Sequence, residues 1–316
     1  MEERSSARVW KCIRMALPKA GRTCLWLLKI ILPISLLVRL LQYSGLLDKM
    51  SAFMEPLFSL VGLPGETAII FITSVFCPLY APIALITSMS LGVREATILT
   101  LMCLVSHNLV VESSVQAKTG SSFCEMTVLR LVMSFVIAFS LNFVMPHEGW
   151  GTVGITESAA VCNSLLEVFV LWLTSSLKVI MQILVIVTLL MILHYLLEEF
   201  KLMKGLSKLF APMMKVFGLP RDAVFLWLVG NVVGLAYGGA IMVEQMERKK
   251  LTYTEGDLLN HHLAVCHSLL EDTIIFVAIG IPLLWIVLTR ILFAMLSVWG
   301  RRLYLSIYTR NVRISQ

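Results

Sequence analysis

Apolar residues in this chain fall into runs of roughly twenty, the length of a helix that crosses a bilayer. Continuous runs predict spanning helices near 24–43, 124–145, 177–197 and 281–300. Ahead of the first, residues 1–23 interleave Arg4, Arg8, Lys11, Arg14, Lys19 and Arg22 with Val9, Trp10, Ile13 and Leu17. That pattern predicts a basic amphipathic helix on the membrane surface. Two more runs are interrupted at their centres. Residues 66–90 contain Cys77, Pro78 and Pro82, and proline removes a backbone donor and clashes with the preceding turn. Residues 222–245 contain Asn231, Gly234, Gly238 and Gly239. Each run predicts a kinked span or a re-entrant hairpin, with unwound backbone at Cys77, Pro78, Pro82, Gly234, Gly238 and Gly239. Unpaired backbone at that depth needs protein or a wet cavity around it. For the glycines, close helix packing is the alternative.

Two other apolar runs carry ionisable side chains. Residues 256–280 hold His261, His262 and His267 with Asp257, Glu271 and Asp272; residues 95–117 hold His107, Asn108 and Glu112. Each such group costs a few kcal/mol in hydrocarbon, so an intramembrane one marks a working site by default. On a continuous helix Asn260, His267 and Glu271 form one polar stripe, with His267 and Glu271 four apart and in reach of each other. Imidazole beside carboxylate can hold a proton or a metal ion. His107 and Glu112 are five apart, so an unbroken helix would splay them; local unwinding is expected there. The candidate solute- or ion-binding set is His107, Asn108, Glu112, Asn231, Asn260, His267, Ser268, Glu271 and Asp272. His261 and His262 rank lower, because adjacent residues point to different sides. Arg130 and Arg290 are candidate charge partners for Glu112 and Asp272 across the repeats, or snorkel from helix ends.

The halves of the chain match. Pro56 and Pro212, and Gly62-Leu63-Pro64 and Gly218-Leu219-Pro220, are 156 apart. After a four-residue insertion near Lys250 the offset is 160: His107 meets His267, Glu112 meets Asp272, Gly120 meets Gly280, Arg130 meets Arg290. Such internal similarity in a membrane protein points to transporter-type pseudo-symmetry, with the ligand site between repeats. The connections around the first broken segment hold Lys49 and Arg94 against Asp48, Glu55, Glu66 and Glu95. Those around the second hold Lys201, Lys204, Lys208, Lys215, Arg221, Arg248, Lys249 and Lys250. The positive-inside rule puts the second set in the cytoplasm and the first outside. That requires re-entrant broken segments, three crossings per half and inverted repeats, with both termini cytoplasmic and the acidic stretch from Glu148 to Glu157 outside. Fully crossing broken segments would make the repeats parallel.

Composition agrees with a polytopic membrane protein: 58% of residues are hydrophobic, only 15% are charged, and mean hydropathy is +0.85. Ordinary soluble chains run near a quarter charged. No alternating ten-residue strands of a β-barrel are visible. The net charge of +6 sits beside apolar runs, so it reads as topology signal and lipid-headgroup contact; no nucleic acid is expected. The seven cysteines include no CxxC pair, so neither a disulfide framework nor a thiolate zinc site is expected. No small-residue cleavage site follows the first apolar run, so no signal peptide is expected. No GxSxG nucleophile motif occurs; neither enzyme activity nor a cofactor is expected.

Two copies of a unit with a Gly-Leu-Pro lead-in, a Pro/Gly-broken segment and a polar-interrupted helix resemble the Gate, or nucleoside-recognition, domain. That domain is shared by concentrative nucleoside transporters, ferrous-iron transporters and spore maturation proteins. The resemblance covers roughly residues 25–140 and 177–300. No P-loop occurs, so the guanine-nucleotide domain of the iron transporters is absent, and the chain looks like the compact, stand-alone members. The resemblance implies that the broken segments line the site. The expected architecture is all-α, with a basic interfacial helix (1–23), a first repeat (24–146), a linker with an amphipathic helix (147–175), a second repeat (176–303) and a basic tail (304–316). The expected function is secondary transport of a small polar or anionic solute, nucleoside-like solutes included, near the bilayer midplane of a bacterial inner membrane. Divalent-metal transport through His107, His267, Glu112, Glu271 and Asp272 is one alternative; a non-transporting scaffold is another. Besides membrane lipid, a coupling proton or sodium ion and a second copy of the chain are open partner classes.

Overall fold

Long apolar runs without a breaker become long helices. The computed structural model describes residues 5–149, 151–153, 164–232, 234–248 and 251–314, and the protein is 81% helical. Glu157, Lys249 and Lys250, used above for topology, lie outside the described residues. Helix α1 (Ser5–Tyr43) runs through the expected boundary at residue 23, so the basic stretch and the first apolar run are one helix of 39 residues. Then come α2 (Leu46–Ser59), α3 (Ala68–Phe76) and α4 (Tyr80–Ser88). The break before α4 falls at Cys77, extended at φ −124° and ψ 158°, the conformation that a following proline favours. Helices α5 (Val93–Ser106) and α6 (Leu109–Ala117) are interrupted at His107 and Asn108; α7 (Phe123–Val144) follows. Helix α8 (Leu165–Glu199) joins the expected amphipathic and spanning segments into one helix. The rest are α9 (Leu202–Val216), α10 (Val224–Val232), α11 (Leu235–Glu247), α12 (Tyr253–Leu263), α13 (Leu269–Ala278) and α14 (Leu283–Ile314). Among the described residues, Phe123–Val144 and Leu283–Ile307 are long and apolar enough to cross a membrane, and α5 with α6 is a third if it is one broken span.

Three expectations of unwound backbone are corrected. Pro82 lies in the first turn of α4, where its missing N–H would have no helical partner anyway. Gly238 and Gly239 lie inside α11, and Gly238 N–H donates to Gly234 O at 2.9 Å. Their work is steric. A Cβ on Gly238 would stand 3.1 Å from Gly230 Cα, and one on Gly239 would overlap the Val115 side chain. Among the described residues of this run, Gly234 is non-helical, and its φ of +97° is open to glycine at little cost.

The chain divides into two compact units that interleave the sequence halves: Met1–Asn108, Phe135–Phe200 and Ile274–Pro282; and Leu109–Ser134, Lys201–Thr273 and Leu283–Gln316. In the first, α1 packs along α8. Cys12, Ala16, Ala20 and Cys24 recur every fourth residue and are all buried, so small side chains let the helices approach closely. Arg8 Nε pairs with Glu199 Oε1 at 2.9 Å, and Trp172 Nε1 donates to Ser35 Oγ at 3.0 Å. After α2, Gly62 turns at φ +72°, Pro64 is extended and a 3₁₀ turn over Gly65–Thr67 leads into α3. Phe58, Phe71 and Phe135 meet edge to face with centroids 5.4–6.3 Å apart.

In the second unit, the stretch from α9 to α10 has the local form of that from α2 to α3. After α9, Gly218 turns at φ +73°, Pro220 is extended and a 3₁₀ turn over Arg221–Ala223 leads into α10. Its core gathers Met214, Phe217, Trp227, Met242 and Leu263. Helix α12 starts on a reciprocal capping box between Thr252 and Glu255, which satisfies two orphan donors of the first turn.

Candidate functional site

Glu112 stands in the first turn of α6 and is buried. Arg130 of α7, fully buried, places Nη2 at 2.7 Å from Glu112 Oε2. His267 Nε2 lies 3.2 Å from the same oxygen. His267 is fully buried too, and its Nδ1 meets Leu263 O at 2.7 Å. A carbonyl only accepts, so Nδ1 carries a hydrogen. Nε2 faces a carboxylate oxygen, so either the ring is an imidazolium or the acid is protonated and donates to Nε2. In both cases one titratable proton belongs to the His267–Glu112 pair.

His267 is not on a continuous helix. The chain leaves helical geometry between α12 and α13, and Ser268 takes a left-handed φ of +47°. Asn260, His267 and Glu271 therefore do not lie on one continuous helix, and Glu112 is a carboxylate that meets the His267 ring. Glu271 is half-buried in α13. Arg290 of α14 holds the break: it donates from Nη2 to His267 O, and to Asp272 Oδ2 at 3.2 Å, and from Nε to Val265 O at 3.5 Å. Ser268 N–H donates to Gly230 O at 2.9 Å, which ties the break to α10. The arginines do pair with these acids, but not across the repeats as expected: Arg130 meets Glu112 and Arg290 meets Asp272, each inside its own sequence half.

In the other unit, His107 and Asn108 occupy the break between α5 and α6. Asn108 has the same φ of +47°, and its N–H donates to Ser74 O at 2.9 Å and Cys77 O at 3.2 Å. His107 Nδ1 meets Leu104 O at 3.0 Å.

Two candidates are hydrogen-bonded within the protein. Asn260 Nδ2 donates to Gln116 O, Thr119 O and Ser121 Oγ at 3.0–3.1 Å, while its Oδ1 accepts from Thr119 Oγ1 at 3.1 Å. Asn231 Nδ2 donates to Trp227 O at 3.0 Å, and Oδ1 faces Cys266 Sγ at 3.6 Å. The two adjacent histidines diverge. His261 Nδ1 meets Asp257 O at 2.8 Å, whereas His262 Nδ1 accepts from Trp227 Nε1 at 3.3 Å.

A second charged cluster escaped the sequence reading. Arg301 donates to Asp257 Oδ2 at 2.7 Å and Glu125 Oε1 at 2.6 Å, and Ser121 Oγ donates to Asp257 Oδ1 at 2.7 Å. Arg301 and Glu125 are 176 positions apart, and neither has a counterpart at the matching offset, so no local or repeat signal links them. Also unforeseen are the Ser113 and Thr273 hydroxyls and Gln116 Oε1, buried with no hydrogen-bond partner among the described residues.

Buried arginines neutralised by carboxylates at helix breaks are a membrane-protein arrangement, and comparison with known proteins agrees. The Gate (nucleoside recognition) family model matches residues 24–156. The chain is 32% identical to YvoD of Bacillus subtilis (strain 168), an uncharacterized membrane protein, over 281 residues that cover 88% of this chain and 90% of YvoD. No solved structure matches. The chain belongs to the Gate, or nucleoside-recognition, family of membrane proteins.

Proposed function

We propose that this protein is a secondary-transporter-like membrane protein, not an enzyme, which binds a small polar or anionic solute together with a proton near the bilayer midplane. The observation that carries the reading is the 3.2 Å contact of His267 Nε2 with Glu112 Oε2, where the two side chains can hold a proton beside Arg130 and Arg290. With both guanidiniums and Asp272 charged, the protonated cluster has one net positive charge, and loss of the proton makes it neutral. In surroundings of low dielectric a single uncompensated charge attracts an anion strongly. The buried hydroxyls of Ser113 and Thr273 would supply the orienting hydrogen bonds that a polar solute needs. A nucleoside-like solute fits the family resemblance.

The divalent-metal alternative fits less well. A guanidinium already sits 2.7 Å from the Glu112 carboxylate, and a permanent cation there repels a metal ion. A pseudo-repeat is supported by the recurring elements: the Gly-Leu-Pro turns at Gly62 and Gly218, the 3₁₀ entries into α3 and α10, and the left-handed Asn108 and Ser268.

The test is thermal-shift binding by purified protein across nucleosides, carboxylates and divalent cations, followed by affinity for the best ligand at pH 5.5 and pH 8, conditions chosen to bracket histidine's ordinary value of about 6.5. Binding should be tighter at the lower pH. His267→Ala should weaken it about tenfold or more, the scale of a lost charge-assisted hydrogen bond, and flatten the pH dependence. His107→Ala, at the matching position, should also weaken it. Unchanged affinity and pH response in His267→Ala would put the site elsewhere. A lower melting temperature with intact binding would make His267 a peg between helices, as the scaffold alternative expects.

A further inference from the structure

Helix α9 has three faces. Met203, Leu206, Phe210 and Met214 turn inward onto the core around Trp227. Leu202, Leu209, Met213 and Val216, at spacings of seven, four and three, form a second apolar stripe that is exposed, Leu209 at 66%. Lys208 and Lys215 are exposed and share a third sector, with Lys204 in register one turn earlier. A helix with one apolar face packed, a second bare and a third cationic suits a membrane interface, the bare stripe toward the acyl chains and the lysines toward the headgroups.

Helix α14 meets α9 at the same level. Trp299, 49% exposed, donates from Nε1 to Val216 O at 3.0 Å. Arg302 Nε donates to Gly218 O at 2.6 Å, and its guanidinium lies 5.7 Å from the Trp299 ring centroid. Tryptophan with an apolar body and a committed N–H is the residue type of the headgroup belt. From Lys201 to Arg221 the chain has five basic residues and no acidic one. Helix α2, which precedes the corresponding Gly-Leu-Pro turn, carries Asp48 and Glu55 beside Lys49.

We propose that α9, with Trp299 and Arg302 of α14, is a binding surface for anionic phospholipid headgroups. The shape of the helix would suit any bilayer; its charge selects the lipid. Near an anionic surface each lysine contributes about 1 kcal/mol, or about fivefold in affinity. The surface is independent of the solute cluster, so it stands or falls on its own measurement.

The test follows melting of purified protein in a non-ionic micelle during titration with short-chain phosphatidylglycerol, short-chain phosphatidylcholine and inorganic phosphate. Phosphatidylglycerol should raise the melting temperature at concentrations at least about tenfold below phosphatidylcholine, and phosphate alone should not raise it. The preference should shrink about fivefold for each of Lys208→Gln and Lys215→Gln, and fall as salt rises from about 0.05 M to about 0.5 M. Lys49→Gln on α2 should leave it intact. An equal response to the two lipids, a response reproduced by phosphate, or a preference that survives the α9 double variant would each overturn the proposal. The substituted lysines are exposed, so the variants should fold, and the phosphatidylcholine titration reports whether they do.

Discussion

Arg290 is fully buried, yet Asp272 is only one of its partners. Nε and Nη2 also donate to the carbonyls of Val265 and His267, which the break between α12 and α13 leaves without helical partners. Hydrocarbon offers them no alternative donor. Arg290→Ala should therefore cost about 3–5 kcal/mol, because it strands both a buried carboxylate and the carbonyls. Arg290→Lys keeps the charge but loses the fork geometry and should recover only part of that; denaturant titration in micelles measures both. If Arg290→Lys is as stable as the wild type, the guanidinium does not hold the break. That this arginine pairs with an acid was legible in the sequence, although across the repeats and not within one half. The partner of His267 was not. A helical wheel presumes an unbroken helix, and that presumption selected Glu271 over Glu112, which is 155 residues away. Asn260 misled for a related reason: a buried amide among apolar residues looks like a ligand group until its partners, the backbone and hydroxyls of residues 116–121, are seen.

Breakers were read correctly as a class and unevenly as individuals. Proline acts through its own ring and the residue before it, so the break at Cys77 and Pro78 is local information. Glycine is ambiguous in sequence, since it serves equally for left-handed turns and for close approach of helices. Gly234 is of the first kind, and Gly238 and Gly239 are of the second. The distinction gives a prediction for α11. Gly239→Ala should destabilise by about 1–3 kcal/mol, the range for overpacking, because its Cβ meets Val115. Val115→Ala in the same protein should restore much of the loss. Gly205→Ala in α9, where nothing lies within 4 Å of the added Cβ, should instead be neutral or gain up to about 1 kcal/mol in helix propensity. Melting curves of the three variants decide it; a Gly239→Ala protein as stable as wild type would remove the packing account.

Across the whole molecule the open matter is the path through the bilayer, and contacts bear on it because touching residues share a depth. Trp299 and Arg302 of α14 reach Val216, the last residue of α9, and Gly218 just beyond it. Arg301 reaches Glu125, near the start of α7, and Asp257, near the start of α12; Ser121 also reaches Asp257. If the broken segments α3–α4 and α10–α11 crossed fully, residues 118–125 and 201–221 would lie on the opposite face from 251–257 and 299–302. Re-entrant segments put all four on one side. Within the other unit, Arg94 donates to Asn142 Oδ1 at 2.7 Å, and Val93 N–H to Gly151 O at 2.8 Å. Asn142 also crowds the space beside Gly62, and only re-entrant segments let the Gly62 turn share a face with the end of α7. The inverted arrangement that the charges favour predicts that the lysines of 201–215 are cytoplasmic. Single cysteines in a cysteine-free protein test it with an impermeant thiol reagent on intact cells. A cysteine at Glu148 should label, and one at Lys208 should be protected until the membrane is opened. Fully crossing segments require the reverse at both positions, while Lys249 is protected in either case and serves as the internal control. Labelling at Lys208 with protection at Glu148 would make the repeats parallel and leave the contacts around Arg301 without an explanation.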